Sequence, residues 1–579
     1  MSGGIEKKFE KVEKLKVESS EFKVEIFPKL GTVFPMFERL FLKKNRYWFW
    51  FLGIGILIWG ISLGFDLTFS DDNALIRDNQ VFLHNFQNIF RAFLYDDFQR
   101  SMGGVYYRPL VINTLIWDTQ WQFSAHPWLT YHVTNILLHV FATGLFFQIL
   151  KRFRIPALGA AIAALIFLVH PVNAQTVAWI TGRVDSVFTI WVLLSFHAIL
   201  NFQKNPTTKN GIWYFLAFLG ALFSKETAVV LPVLHWIVLW VDRQKKIFHP
   251  PKLPVWIAWI VAFPIWFFAR ENALQSEVVG VESSKIFTAQ NFSSFFENIP
   301  ATIPHLGKIF FPLGLSPHVI LSDLIWWPGI FTVSVLGAAV IFLRKKISWP
   351  IIFLGGAIFL TLWPTFLNPD PDQSKFFLEN RLYFPAMGMF LIVAELLRAS
   401  KISKKFLVAG AGIFFLFSGI TLAYQQTFRD GFSYWGTATE LSPTSAFAFN
   451  NFGAMYYLAN DLENAEKEWL RSLELHPTEN MVNGNLGLLY LHQGELEKSE
   501  KYLLFEIEIN PAYDHARHNL GLLYEKQGKI KKAVESWEKL IMLHPRYWTA
   551  YKKLLKYYES VGDTAKIEKL QQRFQKFLR

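Results

Sequence analysis

The chain of 579 residues contains no cysteine. That excludes disulfides, thiolate nucleophiles and cysteine-ligated metals, and it leaves the compartment open. Charge is thin as well. Asp, Glu, Lys and Arg make up 18% of the residues, against 52% hydrophobic and 17% aromatic. A soluble chain carries about a quarter charged residues, so this balance points to a polytopic membrane protein. No apolar run opens the chain, and residues 1–46 carry no sign of a cleavable leader. Within them Ile5, Phe9, Val12 and Leu15 recur at helical spacing among Lys and Glu, which reads as a cytosolic surface helix or a loose basic arm. There is no Walker loop, and Gly53-Ile54-Gly55 lies inside an apolar run, where close packing accounts for it. The formal charge of +12 comes largely from residues at the ends of apolar runs, so it reads as topology control and not as a nucleic-acid surface.

Six short basic clusters mark the cytoplasmic side: Lys43-Lys44-Arg46, Lys151-Arg152-Arg154, Lys204 with Lys209, Arg243-Lys245-Lys246, Arg344-Lys345-Lys346, and Lys401 with Lys404-Lys405. Between them the apolar runs predict spans near 47–65, 128–150, 157–169, 186–203, 211–224, 228–241, 254–269, 327–343, 349–367, 383–397 and 406–424. Residues 300–316 carry Pro300, Pro304, Pro312 and Gly314, and read as a re-entrant or interfacial segment. A transmembrane domain over 47–426 with about eleven spans places the C-terminus outside. Its external loops are 66–126, 170–185, a short turn at 225–227, 270–326 and 368–382.

Pro443, Pro477, Pro511 and Pro545 are spaced 34 residues apart. In phase with them run Phe452-Gly453, Leu486-Gly487 and Leu520-Gly521, then Tyr456, Tyr490, Tyr524 and Tyr558, with Gly494, Gly528 and Gly562 at inter-helix turns. This is the tetratricopeptide period, in which each helix pair buries its apolar face on its neighbours. The fold class is therefore all-α: a membrane helical bundle followed over 440–579 by an α-solenoid of three full repeats and a divergent fourth. A second series, Asn451, Asn485 and Asn519, keeps the same phase. Its amides either bind the main chain of an extended peptide in the concave groove or satisfy neighbouring helices.

The chemistry collects on the external face: Asp71, Asp72, Asp96, Asp97, Arg108, His170, Arg183, Asp185, Lys225, Glu226, Arg270, Glu379 and Arg381. Any one of these can be an interfacial anchor or a local ion pair, such as Arg183 with Asp185. Together they suit one chemistry. Adjacent carboxylates beside a bilayer are costly to desolvate unless a cation or a reacting group compensates them. A carboxylate can activate a hydroxyl, and cations can hold the phosphate of a lipid-borne donor. Glycosidases need a second carboxyl to protonate an alcohol leaving group; phosphate leaves as a stable anion and does not. His132, Asn135 and His139 share one face of the second span, where interhelical hydrogen bonding explains them better than a zinc site that lacks a nearby acid.

Six strings occur in order: Ser70-Asp71-Asp72; Tyr107-Arg108-Pro109-Leu110; His132 to His139; His170-Pro171 through Gly182-Arg183-Val184-Asp185; Ser224-Lys225-Glu226-Thr227; and Glu379-Asn380-Arg381-Leu382-Tyr383. With the repeat, they resemble the transmembrane and tetratricopeptide-repeat protein O-mannosyltransferases and their bacterial relatives, in the GT-C glycosyltransferase superfamily. The sequence departs from that pattern at Gln175, where an acid is usual, and at Asn380, which splits the Glu-Arg pair. The resemblance implies a polyprenyl- or dolichyl-phosphate sugar as donor, a hexose such as mannose, transferred with inversion on the non-cytosolic face. It implies an acid of the first external loop as base, Asp71 ahead of Asp72, and neither nucleotide sugar nor metal nor other cofactor. Arg108, Arg381, Arg183 and Lys225 are the expected phosphate-binding cations, supported by His170, Asp185, Glu226 and Glu379, and the repeats are expected to present a protein or peptide acceptor. Two rivals from other classes are a non-catalytic scaffold whose repeats recruit envelope proteins and a lipid or polysaccharide transporter. The acid pair in the first external loop argues against both.

Overall fold

A computed structural model of the protein describes residues 46–96, 106–243, 251–274, 289–367, 376–400, 404–545 and 547–578. The arm before Arg46, Asp97, and the basic residues Lys43, Lys44, Lys245, Lys246 and Lys401 fall outside the described residues. Met1–Gly53 and Ile54–Arg579 form two compact units. The described part of the first is the opening of the helix Tyr47–Trp59.

Among the described residues seven helices are long and apolar enough to cross a membrane: Tyr47–Gly64, Leu129–Arg152, Arg183–Lys204, Leu253–Ala273, Trp349–Phe366, Glu379–Ser400 and Val408–Phe428. An eighth is added if Ala157–Leu168 and Pro171–Val177, bent by 50°, count as one broken span. Pro171 explains the bend, because its ring and missing N–H cannot continue the preceding helix. The other three runs form the helices Thr208–Leu222, Leu231–Arg243 and Trp327–Leu343, of 15, 13 and 17 residues. All eleven apolar runs are thus helical, while full span length is reached by seven or eight.

The proline-rich segment contains a nine-residue helix, Thr302–Phe310, with Pro304 through Ile309 buried. At 1.5 Å per residue it is far too short to cross a hydrocarbon core of about 30 Å. It crosses Trp327–Leu343 so closely that a Cβ on Gly307 would lie 2.5 Å from the amide nitrogen of Gly329. The same small-residue packing joins Gly355 and Gly388, where a Cβ on Gly355 would stand 2.6 Å from the Gly388 carbonyl oxygen. Lys308 anchors the short helix by a buried ion pair of 2.7 Å to Glu379. Among the described residues β-structure is confined to the two-residue pairing of Val319–Ile320 with Phe376–Phe377 and an isolated bridge between Phe123 and His126.

The repeats form the helix pairs Ala446–Leu458 with Leu462–Leu475, Val482–Gln493 with Leu496–Ile509, Asp514–Lys526 with Ile530–Leu543, and Trp548–Val561 with Thr564–Leu578. The repeat glycines are there for close approach. A Cβ on Gly453 would meet Trp469 at 2.7 Å, and one on Gly487 would meet Leu503 at 2.6 Å. Gly494, Gly528 and Gly562 take positive φ at the inter-helix turns, and Asn460 takes the same place in the first repeat at φ 62°.

A further helix, Gly431–Leu441, joins the last span to the repeats. The Trp435 indole donates to the Phe69 carbonyl at 3.3 Å. The amide of Asp66 donates to Arg429 O at 2.8 Å. On the other flank, Ser442 donates to His318 O and Thr444 to Asp323. The solenoid therefore docks onto the loop that follows the first span.

Candidate active site

The turn after the first span is organised by Asp72. Its buried carboxylate accepts from the Thr68 amide and hydroxyl, each at 2.8 Å, and from the Ser70 amide and the Trp179 indole, each at 3.2 Å. Phe69 is held at φ 57°, a conformation that side-chain-bearing residues rarely adopt. With Asp72 used in this way, its neighbour Asp71 is the acid that lines a pocket. The wall of that pocket also carries Tyr106, Arg108, Trp179, Arg183, Lys225 and Arg381. Thr181, Asp185 and Asn380 complete its polar lining.

Asp71 keeps open surface in the cleft yet is enclosed by protein mass. Burial, and then the adjacent Asp72 charge, push its carboxyl up to about 6, against the opposing pull of Arg108 and Arg381. Asp72 is also raised by burial, with the Thr68 bonds opposing. The two adjacent acids thus take different tasks, one fixing the loop and one facing the cavity.

The cations come from four separate segments. Arg108 caps the helix Pro109–Thr119, with Pro109 preset for the first helical position. Its guanidinium lies 4.0 Å over the Tyr106 ring and donates to Glu226 at 3.3 Å. Glu226 also accepts the Tyr107 amide, so it secures the segment behind Arg108. Lys225, on the adjoining turn, pairs with Asp185 at 2.6 Å. Burial lowers the Lys225 ammonium from its ordinary range while Asp185 opposes the shift. Arg381 sits on the short turn Glu379–Leu382 and donates to Thr365 O at 3.2 Å. Among the described residues no carboxylate lies in ion-pair range of Arg381, which leaves it the cation best placed to take an incoming anion.

Arg183 differs from the other three. It is fully buried, ion-paired with Asp118 and bonded to Thr114 Oγ1, Ile180 O and Tyr131 O. Most of its donors are spent on protein, so it is a strut of the pocket wall and not an open phosphate ligand. The expected local pair of Arg183 with Asp185 is replaced by Arg183–Asp118 and Lys225–Asp185.

His170 does not line the pocket. Its Nδ1 accepts from the Val172 amide and its Nε2 bonds Ile309 O, which fixes the neutral tautomer and caps the turn after the bend. Glu379 is spent on Lys308, the Ser316 amide and the Tyr424 hydroxyl, so it anchors the Arg381 turn from behind. Arg270 pairs with Glu271 at 2.8 Å. In the second span, Asn135 donates to Val177 O and Trp179 O, and His139 bonds Tyr383 and Leu168 O. These are interhelical contacts, and no three His, Asp or Glu residues form a metal-binding group among the described residues.

The asparagine series is not a row of open amides. Asn451 donates back to Phe447 O in its own helix at 2.8 Å, Asn485 donates to Asn450 of the preceding repeat at 3.0 Å, and Asn519 is buried. Tyr106, Trp179, Thr181 and Asn380 are the pocket residues that sequence reasoning missed. Tyr106, Thr181 and Asn380 lie one or two places from Arg108, Arg183 and Arg381, which was their only signal, while Trp179 lies four places before Arg183.

Residues 514–547 match the family model described as a tetratricopeptide repeat. Over 163 residues the chain is 33% identical to the protein O-mannosyl-transferase tmtc2 of Xenopus laevis, covering 27% of this chain and 18% of that protein. It is 32% identical over 163 residues to human TMTC2, covering 27% and 18%, and 31% identical over 145 residues to human TMTC4, covering 22% and 19%. The matches span about a fifth of the length of these relatives. They are to the same family that the six sequence strings resemble.

Proposed function

We propose that this chain is a membrane glycosyltransferase of the GT-C type. It moves a hexose, with mannose the first to test, from a polyprenyl-phosphate donor to an acceptor hydroxyl on the non-cytosolic face. The observation that carries this reading is one pocket in which Asp71 faces Arg108, Arg381 and Lys225. A base raised to about 6 is matched to taking a proton from a hydroxyl near neutral pH. The acceptor oxygen then attacks the anomeric carbon, the carbon–oxygen bond to phosphate breaks, and the leaving phosphate keeps the electron pair. Cations that lie near the departing oxygens lower the barrier most in a site with little water. One carboxylate opposite the leaving group gives inversion, and the scheme calls on no cofactor. The named relatives, described as O-mannosyl-transferases, support the sugar and a protein acceptor, for which the repeats are the docking surface.

The same reading puts the N-terminus in the cytoplasm and the repeats outside. The test is transfer of labelled mannose from polyprenyl-phosphate mannose to a Ser/Thr peptide by the purified protein in lipid nanodiscs. Asp71→Asn should abolish transfer while keeping fold and donor binding. Undiminished transfer by Asp71→Asn would remove Asp71 as base, and a wild type inert with every lipid-phosphate sugar would favour the scaffold. A tag fused after Arg579 should be labelled from outside intact cells; labelling only after permeabilisation would put the repeats in the cytoplasm.

A further inference from the structure

Two residues of the pocket wall each carry a buried polar atom with no hydrogen-bond partner in the protein: Asn380 Oδ1 and Thr181 Oγ1. Both residues are buried, at 7% and 5% exposure, and both line the cavity with Asp71, Arg108 and Arg381. Buried polar groups are almost always paired, because leaving one unpaired forfeits its hydration with no return. Two on the wall of one pocket therefore call for a ligand.

The chemistry of that ligand follows from Asn380. Its Nδ2 donates to Asp185 Oδ2 at 2.9 Å, and a carboxylate only accepts, so the amide nitrogen must face that side. Asp185 is held in turn by Lys225 at 2.6 Å. The backbone of Asn380 is pinned by its N–H to Gln175 Oε1 at 3.0 Å, and Gln175 is pinned to Pro317 O at 2.9 Å. The amide has no freedom to flip, and the group left unpaired is an acceptor. Phosphate oxygens, themselves acceptors, cannot satisfy it, and an isoprenoid tail offers nothing. A hydroxyl can. Thr181 supplies the complementary group, able both to donate and to accept.

We infer that Asn380 and Thr181 form a hydroxyl-binding subsite for the sugar of the donor, beside the cations that take its phosphate. The inference rests on the donor reading above. It gives a role to Asn380, which separates Glu379 from Arg381: the anchor, the sugar contact and the phosphate contact are three consecutive residues of one turn.

The experiment uses full-length protein in nanodiscs. It is titrated with polyprenyl-phosphate mannose, glucose and galactose, and with polyprenyl methyl phosphate, a diester of the same charge that lacks the hydroxyls. The wild type should bind at least one sugar diester about tenfold tighter than the methyl diester. Thr181→Val, which keeps the shape, should reduce that preference roughly three- to tenfold with methyl-diester affinity unchanged, and Asn380→Ala, which also loosens Asp185, should reduce the preference by a similar factor. A wild type that binds the sugar and methyl diesters equally, or a preference intact in both variants, overturns the subsite and leaves the donor reading standing. A wild type that binds no diester overturns both.

Discussion

The Trp435 indole reaches across 366 residues of sequence to the Phe69 carbonyl, which makes the first helix beyond the membrane domain a support for the Asp71 turn. Phe69 sits in the left-handed region at φ 57°, a conformation that persists only when its surroundings hold it. Gly431 lies against the same side chain: a Cβ there would meet Phe69 at 3.1 Å and Met455 at 2.5 Å.

Trp435→Phe keeps the ring and removes the N–H. The Phe69 turn should loosen and displace Asp71 from its line of attack. The expected outcome is a several-fold loss of kcat with donor KM within about twofold, since the cations are untouched. Unchanged kcat would show that the dock does not position the base.

Asp71 gives a pH signature. An acid raised from 3.8 to about 6 must ionise before it can act as base, so kcat/KM should fall below about pH 6 and level off above it. The stability sign is the reverse of that for a salt-bridged acid. The folded state holds this proton more tightly than the unfolded chain, so the ionised carboxylate costs stability as pH rises from below 4 through about 6. Asp71→Asn should therefore be inactive and have a higher Tm than wild type at neutral pH. Thermal melts across pH check this, and a lower Tm for the variant would contradict it.

Arg183 and Arg381 should part company on mutation. Arg183→Ala leaves Asp118 buried without its partner, at a cost of about 3–5 kcal/mol, and should fail to accumulate or melt far earlier. Arg381→Ala should fold normally and lose donor affinity, with Lys restoring only part because it lacks the planar fork. Arg108→Ala should behave like Arg381→Ala, with some added loosening at Glu226. Equal melting temperatures for Arg183→Ala and wild type would refute the strut assignment.

The asparagine series should matter through its second and third members more than its first. Asn485→Ala removes a bond to Asn450 and should cost about 1 kcal/mol of stability. Asn451→Ala removes only a bond within its own helix and should be near neutral. Transfer by the triple variant to a full-length acceptor protein and to a minimal peptide tests the groove. Loss with the protein alone supports main-chain presentation, and wild-type rates with both exclude it.

The repeats were legible because a period of 34 residues with glycines in phase has few other causes. All six of the pocket's charged residues, Asp71, Arg108, Arg183, Asp185, Lys225 and Arg381, were legible because topology gathers external loops on one side. What sequence could not show was pairing. Arg183 looks like a partner for Asp185 two residues away, but geometry gives it Asp118, and Asp185 goes to Lys225. Asp71 and Asp72 are the same residue type side by side, and only the Thr68 and Trp179 bonds assign one to structure. The phase of Asn451, Asn485 and Asn519 put them at one height of the superhelix, while the rotamer of each amide decides what it touches.

The Phe69–Trp435 bond also sets an order in time. A ribosome that has just added Phe69 must add 366 further residues before its partner Trp435 exists. Throughout that interval the membrane helices can insert and bind lipid, but the turn bearing Asp71 lacks its clamp. On the proposed reading, chains that stall or are cut before Gly431 should transfer sugar more slowly than the full chain, because the turn bearing Asp71 has not yet met the helix that holds it.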